Sequence, residues 1–141
     1  MKRLIDLMQT VRERGLKVTP QRLMIFRILE GNTNHPSAEE IYQEVVQDYP
    51  TISLATIYKT LEALRDMGEI LELKVDRRRK RYDPCTNPHH HIICSKCGKI
   101  EDIFEDFSPH FKVATRINQR FKITGYHIEF YSICTRCQKL K

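Results

Sequence analysis

Cys94-Ser-Lys-Cys97 and Cys134-Thr-Arg-Cys137 are two C-x2-C pairs, and they constrain this chain more than any other feature. Each pair puts both sulfurs on one tight turn. Two such turns supply four thiolates at tetrahedral corners, with zinc–sulfur bonds of about 2.3 Å. The pairs lie further apart than in a simple zinc ribbon, so the whole second half of the chain must fold to bring them together. A closed four-cysteine site leaves no position for a substrate and is structural. A thioredoxin-like redox pair, or four buried thiols without metal, fits less well because the motif occurs twice. Gly98 follows Cys97 and lets the chain turn with positive φ. The fifth cysteine, Cys85, has no partner in this pattern and reads as an ordinary free thiol.

No stretch approaches the roughly 18 to 20 apolar residues of a membrane helix. Met1 to Thr10 mixes charged with apolar residues and has no signal-peptide core. A cytoplasmic protein is expected, and a reducing cytosol favours metal binding over disulfides for the cysteines. The 141 residues make one domain or two small ones sharing a core, and the net charge of +6 favours a polyanionic partner, nucleic acid first.

The first half reads as helices. Leu4, Leu7, Met8 and Val11 recur at helical spacing, ending before Gly15. Thr19-Pro20 is an N-cap followed by proline at the first helical position, opening a helix through Leu23, Phe26 and Leu29. Ser37 and Glu40 have capping-box spacing before Ile41, Tyr42, Val45 and Val46. Ser53 or Thr51 caps a fourth helix, with Ile57, Leu61 and Leu64 on one face. Residues 70–75 then alternate like a strand, and Arg81-Tyr82-Asp83 returns after a charged turn. Helices followed by a hairpin with a basic tip are in winged-helix order. Asn87-Pro88 breaks regular structure. Beyond it we expect short strands over 91–93 and 99–102, a helix capped by Ser108 with Pro109 next, and a strand over 126–133.

His89-His90-His91 precedes the first cysteine pair. On an extended backbone positions 89 and 91 point one way and 90 the other, so His89 and His91 can share a metal. Asp83 and Asp102 lie nearby as oxygen ligands, and His35, remote in sequence, can complete the set. Three imidazoles and two carboxylates suit Fe(II), Mn(II), Co(II) or Zn(II). One chain would then hold a permanent zinc and an exchangeable ion.

Lys17-Val-Thr-Pro-Gln-Arg22, His35-Pro-Ser-Ala-Glu-Glu-Ile-Tyr42, Ala55-Thr-Ile-Tyr58 and the run from His89 through Cys94-Ser-Lys-Cys97-Gly98 resemble the ferric uptake regulator superfamily. The resemblance covers essentially the whole chain, in order. It implies an α+β protein: an N-terminal winged-helix DNA-binding domain (1–83), a hinge (84–88), and a C-terminal α/β dimerisation and metal-binding domain (89–141) carrying the structural zinc on Cys94, Cys97, Cys134 and Cys137. It also implies that a metal bound between the domains sets DNA affinity. The implied regulatory ligands are His35, Asp83, His89, His91 and Asp102, binding Fe2+ or Mn2+. Aspartate at 102 resembles the peroxide-responsive branch, in which iron-catalysed oxidation of histidine releases DNA; the matching oxidation-sensitive residues are His35 and His89. Such a reaction is sacrificial, so no enzyme is expected. The alternative is an iron, manganese or zinc uptake regulator of the same build. His90 and His127 match a further family metal site, but its acidic ligand has no clear counterpart here.

The partner expected is double-stranded operator DNA, bound by a homodimer that reads two half-sites. The helix over 54–67 is the recognition candidate. Thr56, Tyr58 and Lys59 lie in its N-terminal half; the resemblance assigns Tyr58 to thymine, Lys59 to the adjacent backbone or base, and Lys17 to the minor groove. Arg77, Arg78, Arg79, Lys80 and Arg81 form a basic wing for phosphates. A zinc deaminase would need an H-x-E motif, and no glutamate follows His89 or His91 at that spacing. A thiol redox protein would need a reactive low-pKa cysteine and dispensable zinc.

Overall fold

In the computed structural model, residues 1–74 and 78–140 are described, and the chain divides into two compact units, Met1–Asn87 and Pro88–Lys141. No helix among the described residues is long and apolar enough to cross a membrane.

Four helices open the first unit: α1 (Leu4–Glu13), α2 (Pro20–Leu29), α3 (Ala38–Asp48) and α4 (Leu54–Asp66). Their starts are written locally. Thr19, Ser37 and Ser53 each accept a hydrogen bond from the backbone N–H three residues on, which satisfies a donor the helix itself leaves open. Ser53, not Thr51, is therefore the cap of α4. Gly15, Gly31 and Gly68 follow α1, α2 and α4 with positive φ, the conformation that lets a helix end without a Cβ clash. Leu7 and Val11 of α1, Phe26 and Leu29 of α2, Ile41 and Val45 of α3, and Ile57, Leu61 and Leu64 of α4 form one buried cluster. In α2 the buried face runs through Ile25, Phe26 and Leu29, while Leu23 stays half-buried.

The hairpin expected after α4 is present. β1 (Leu71–Leu73) pairs antiparallel with β2 (Arg81–Asp83) in the register Leu71↔Asp83 and Leu73↔Arg81. Val75, Asp76 and Arg77 lie outside the described residues, so the expected DNA contact of Arg77 does too. Tyr82 of β2 is fully buried in the helical core. Four helices and a hairpin make the first unit a winged-helix module. Arg81 departs from its expected place in the phosphate-binding basic wing. It is buried in β2 and pairs with Glu40 at 2.8 Å, while Lys80 pairs with Glu72 at 3.2 Å. The pleat turns Arg81 inward, so part of the wing's charge is spent inside the unit.

The second unit is a three-stranded sheet in the order β4-β3-β5. β3 (His90–Cys94) runs antiparallel to β4 (Ile100–Ile103) and parallel to β5 (Glu129–Ser132). The helix expected from Ser108 is only a 3-10 turn, Ser108–His110, and its N-cap is Phe107. The Ser108 N–H is taken by Asp106 Oδ1 at 2.9 Å and Tyr126 Oη at 3.0 Å, and Phe111 returns to extended backbone. Short helices α5 (Thr115–Asn118) and α6 (Thr135–Gln138) were not anticipated. The last strand is shorter than the expected span 126–133: Tyr126 and His127 lie before it, with Tyr126 bonded to Asp106 and His127 facing His91.

Candidate metal centres and DNA-facing surface

The β3–β5 register brings the two cysteine pairs together. Cys94 stands opposite Ser132, so the turn after β5 delivers Cys134 and Cys137 to the end of β3. Cys94 Cys97 Cys134 Cys137 gather with one sulfur each, all within 4.8 Å of one another. Cys97 Sγ and Cys134 Sγ are 3.8 Å apart; a tetrahedral zinc with 2.3 Å bonds has an edge of about 3.8 Å. The Gly98 N–H returns to the Cys94 carbonyl at 2.9 Å, closing the first knuckle with Gly98 at positive φ. Backbone N–H groups of Cys134 and Cys97 stabilise the Cys94 thiolate and hold its pKa down at about 5. Cys137 is pushed up to about 12, first by its bond with Cys134 and then by burial. Four sulfurs this close cannot all ionise without a cation among them, so the donor set fits a zinc ion.

The other end of β3 carries the histidines. His91 stands opposite Asp102 across the antiparallel pair, which puts both on one face of the sheet. His89, two residues earlier, reaches the same carboxylate. His89 Nε2 lies 3.0 Å and His91 Nε2 3.2 Å from Asp102 Oδ1. Adjacent donors on an octahedral ion with bonds of about 2.1 Å stand about 3 Å apart, so these three atoms have the spacing of neighbouring ligands. His90 points to the opposite face, as the strand period requires. There its ring stacks on Tyr126 at 5.0 Å and its Nδ1 accepts the Ile128 N–H at 3.0 Å. His91 Nδ1 faces His127 Nε2 at 3.0 Å. Burial, and then the neighbouring His91, push the His127 imidazole below its ordinary pKa.

In the first unit, His35 and Asp83 meet although they are far apart in sequence. The Tyr82 N–H bonds to the Pro36 carbonyl at 3.0 Å and Ser37 bridges Arg81, so β2 lies along the loop before α3. Asp83 Oδ2 thereby comes 3.4 Å from His35 Nε2, both side chains buried. His35 has φ of 52°, the one positive value outside glycine among the described residues. A β-carbon residue held in this region stores local strain, a feature that clusters at functional sites. Asp83 also accepts the Cys85 N–H at 2.9 Å through its other oxygen.

On the surface, Lys17 and Lys59 are exposed and Thr56 is half-buried. A cleft of about 580 Å³ runs beside the start of α4, with Lys17, Arg22, Ser53 and Thr56 among its lining. The Arg22 guanidinium donates to the Lys17 carbonyl at 2.7 Å, which fixes the loop that carries Lys17. Arg78 is exposed. Tyr58 has a partner that sequence reasoning missed: its hydroxyl donates to Glu39 Oε1 of α3 at 2.6 Å, which raises the phenol's pKa and lowers the carboxyl's. No local pattern marks that pair, since it joins two helices.

A model of the ferric uptake regulator family matches residues 13–131. The chain belongs to the ferric uptake regulator family. Among curated relatives it is 39% identical to the peroxide-responsive repressor PerR of Staphylococcus aureus, over 92% of this chain and 87% of that protein. Among solved structures it is similar to the ferric uptake regulator Fur of Helicobacter pylori, with TM-score 0.77 and 28% identity over 99% of this chain and 98% of the other. It is also similar to the Campylobacter jejuni peroxide stress regulator, with TM-score 0.64 and 30% identity over 97% and 100% of the two chains. This ferric uptake regulator family member is a metal-dependent transcriptional repressor and not an enzyme.

Proposed function

We propose that this protein represses transcription by binding operator DNA as a homodimer in the cytoplasm, and releases it when hydrogen peroxide oxidises a metal-ligating histidine. The reading is carried by the convergence of His89 and His91 on one oxygen of Asp102. The 39% identity to a peroxide-responsive repressor supports the choice of trigger. Residues 1–83 serve as the DNA-binding domain, 84–88 as the hinge and 89–141 as the dimerisation domain. A zinc ion held by Cys94, Cys97, Cys134 and Cys137 is structural. One regulatory Fe2+ or Mn2+ is ligated by His35, Asp83, His89, His91 and Asp102, two carboxylates and three neutral imidazoles that suit either ion. Pairing of the second units is favoured by exposed apolar side chains there, Tyr131 at 70% and Phe104 at 65% among them, and by the open edge of β5.

Fe2+ held by these residues would activate hydrogen peroxide beside the rings; peroxide is the two-electron oxidant, and the net change is an imidazole C–H plus hydrogen peroxide giving 2-oxo-histidine plus water. His35 and His89 are the residues oxidised. The chain contributes position: each ring is fixed by a carboxylate, and His89 is stacked on Phe104 at 5.0 Å. Mass spectrometry of the Fe(II)-loaded protein before and after dilute peroxide, beside a Mn(II)-loaded control, tests this. One added oxygen on His35 or His89, with loss of operator binding only in the iron form, is expected. DNA binding that tracks metal concentration with no histidine oxidation would make the protein a metal-uptake regulator instead.

For DNA, Thr56, Tyr58 and Lys59 read the major groove, Lys17 enters the minor groove, and Arg78 with Arg77 holds phosphate. Tyr58→Ala is expected to relax sequence preference. Arg78→Ala is expected to weaken specific and random DNA alike and to reduce the salt slope by about one. Binding titrations at several salt concentrations check both, and equal losses on both DNAs for Tyr58→Ala would sink this division of labour.

A further inference from the structure

We propose that His127 is a positioning residue that fixes the tautomer of His91. The inference rests on His91 as a ligand of the regulatory ion. A neutral imidazole carries one N–H. His91 directs Nε2 to Asp102 at 3.2 Å and Nδ1 to His127 Nε2 at 3.0 Å. To ligate through Nε2, His91 must keep its proton on Nδ1 and donate it to His127. The acceptor must then be the bare Nε2 of His127, whose own proton sits on Nδ1, 3.9 Å from Glu129 Oε1.

The sheet builds this line. Glu129 stands opposite His91 in the parallel β3–β5 pair, as Asp102 does in the antiparallel β3–β4 pair. Paired residues share a face, so Asp102 lies on one side of His91 and Glu129 on the other. The His91 N–H also bonds to the Ile128 carbonyl at 3.2 Å, pinning the backbone between His127 and Glu129 to the ligand strand. His127 is thus engaged by His91, and among the described residues no metal-competent cluster includes His127 or His90. Outer partners of this kind orient a ligating histidine and raise its basicity, and their loss commonly weakens metal binding 10- to 100-fold.

The test is a spectrophotometric Co(II) titration of the zinc-loaded protein, comparing His127→Phe, His127→Gln and His91→Ala. His127→Phe keeps a flat ring but accepts no hydrogen bond. It should weaken Co(II) binding roughly 10- to 100-fold and shift the ligand-field absorption. His127→Gln offers an amide oxygen to the His91 N–H and should recover most of the affinity and the spectrum. Zinc content, and Tm without the regulatory ion, should match the parent in both. Wild-type Co(II) affinity and spectrum in His127→Phe, or His127→Gln no better than His127→Phe, would overturn the positioning role. Unchanged Co(II) binding in His91→Ala would instead overturn the ligand reading on which it rests.

Discussion

Cys137→Ser is expected to unfold the second unit and leave the first folded. Apart from Cys94 and Cys137, the apolar side chains buried there are Ile93 and Ile100 among the described residues. A module with so small a core needs a metal or a partner to hold it. Structural zinc contributes about 10–16 kcal/mol of apparent binding free energy in small modules, against about 5–15 kcal/mol for the stability of a whole domain. Losing one of four thiolates removes enough of that to lose the fold. The first unit has its own core of four helices and Tyr82 and needs no metal. Hydrogen exchange read segment by segment, with elemental analysis for zinc, checks the prediction. Protection should vanish over β3 and β5 and persist over α2 to α4. Retained protection in β3 without zinc would refute it.

The second large effect is expected at Asp102. One oxygen of this carboxylate is shared by His89 and His91 at 3.0 and 3.2 Å. Asp102→Ala removes a ligand charge and the one carboxylate oxygen that His89 and His91 share. Loss of an outer partner costs 10- to 100-fold in metal affinity; losing the shared ligand should cost on the order of 100-fold or more. Operator binding should then stop responding to added Mn2+, while zinc stays at wild-type content. Calorimetric Mn2+ titration and DNA binding at graded Mn2+ measure this. A variant that still binds DNA in a metal-dependent way at wild-type Mn2+ concentration would remove Asp102 from the ligand set.

Much of this was legible in the sequence because it is local. The C-x2-C spacing encodes a knuckle, and the caps at Thr19, Ser37 and Ser53 act within three residues. The parity of His89 and His91 follows from strand geometry alone. What escaped is set by tertiary neighbours. Ser108 reads as a cap, but it opens only a 3-10 turn that ends at the extended backbone of Phe111, and its N–H joins Asp106 and Tyr126. Arg81 reads as part of the phosphate-binding wing, yet the pleat of β2 turns it toward Glu40. The Tyr58–Glu39 pair and the His91–His127 pair join elements whose approach no periodicity announces.

The parallel pairing of β3 with β5 also orders events in time. The first cysteine pair is made well before the second, which follows directly on β5, the strand that carries it to β3. At 5–20 residues per second, synthesis takes roughly two to eight seconds to travel from residue 97 to residue 137. During that interval the winged-helix module has all of its chain, whereas Cys94 and Cys97 wait as a two-thiolate half-site, open to oxidation. Capture of zinc by all four cysteines therefore cannot precede the synthesis of β5 and the second pair, and a cell short of zinc or under thiol stress would accumulate chains whose first unit is finished and whose second is not.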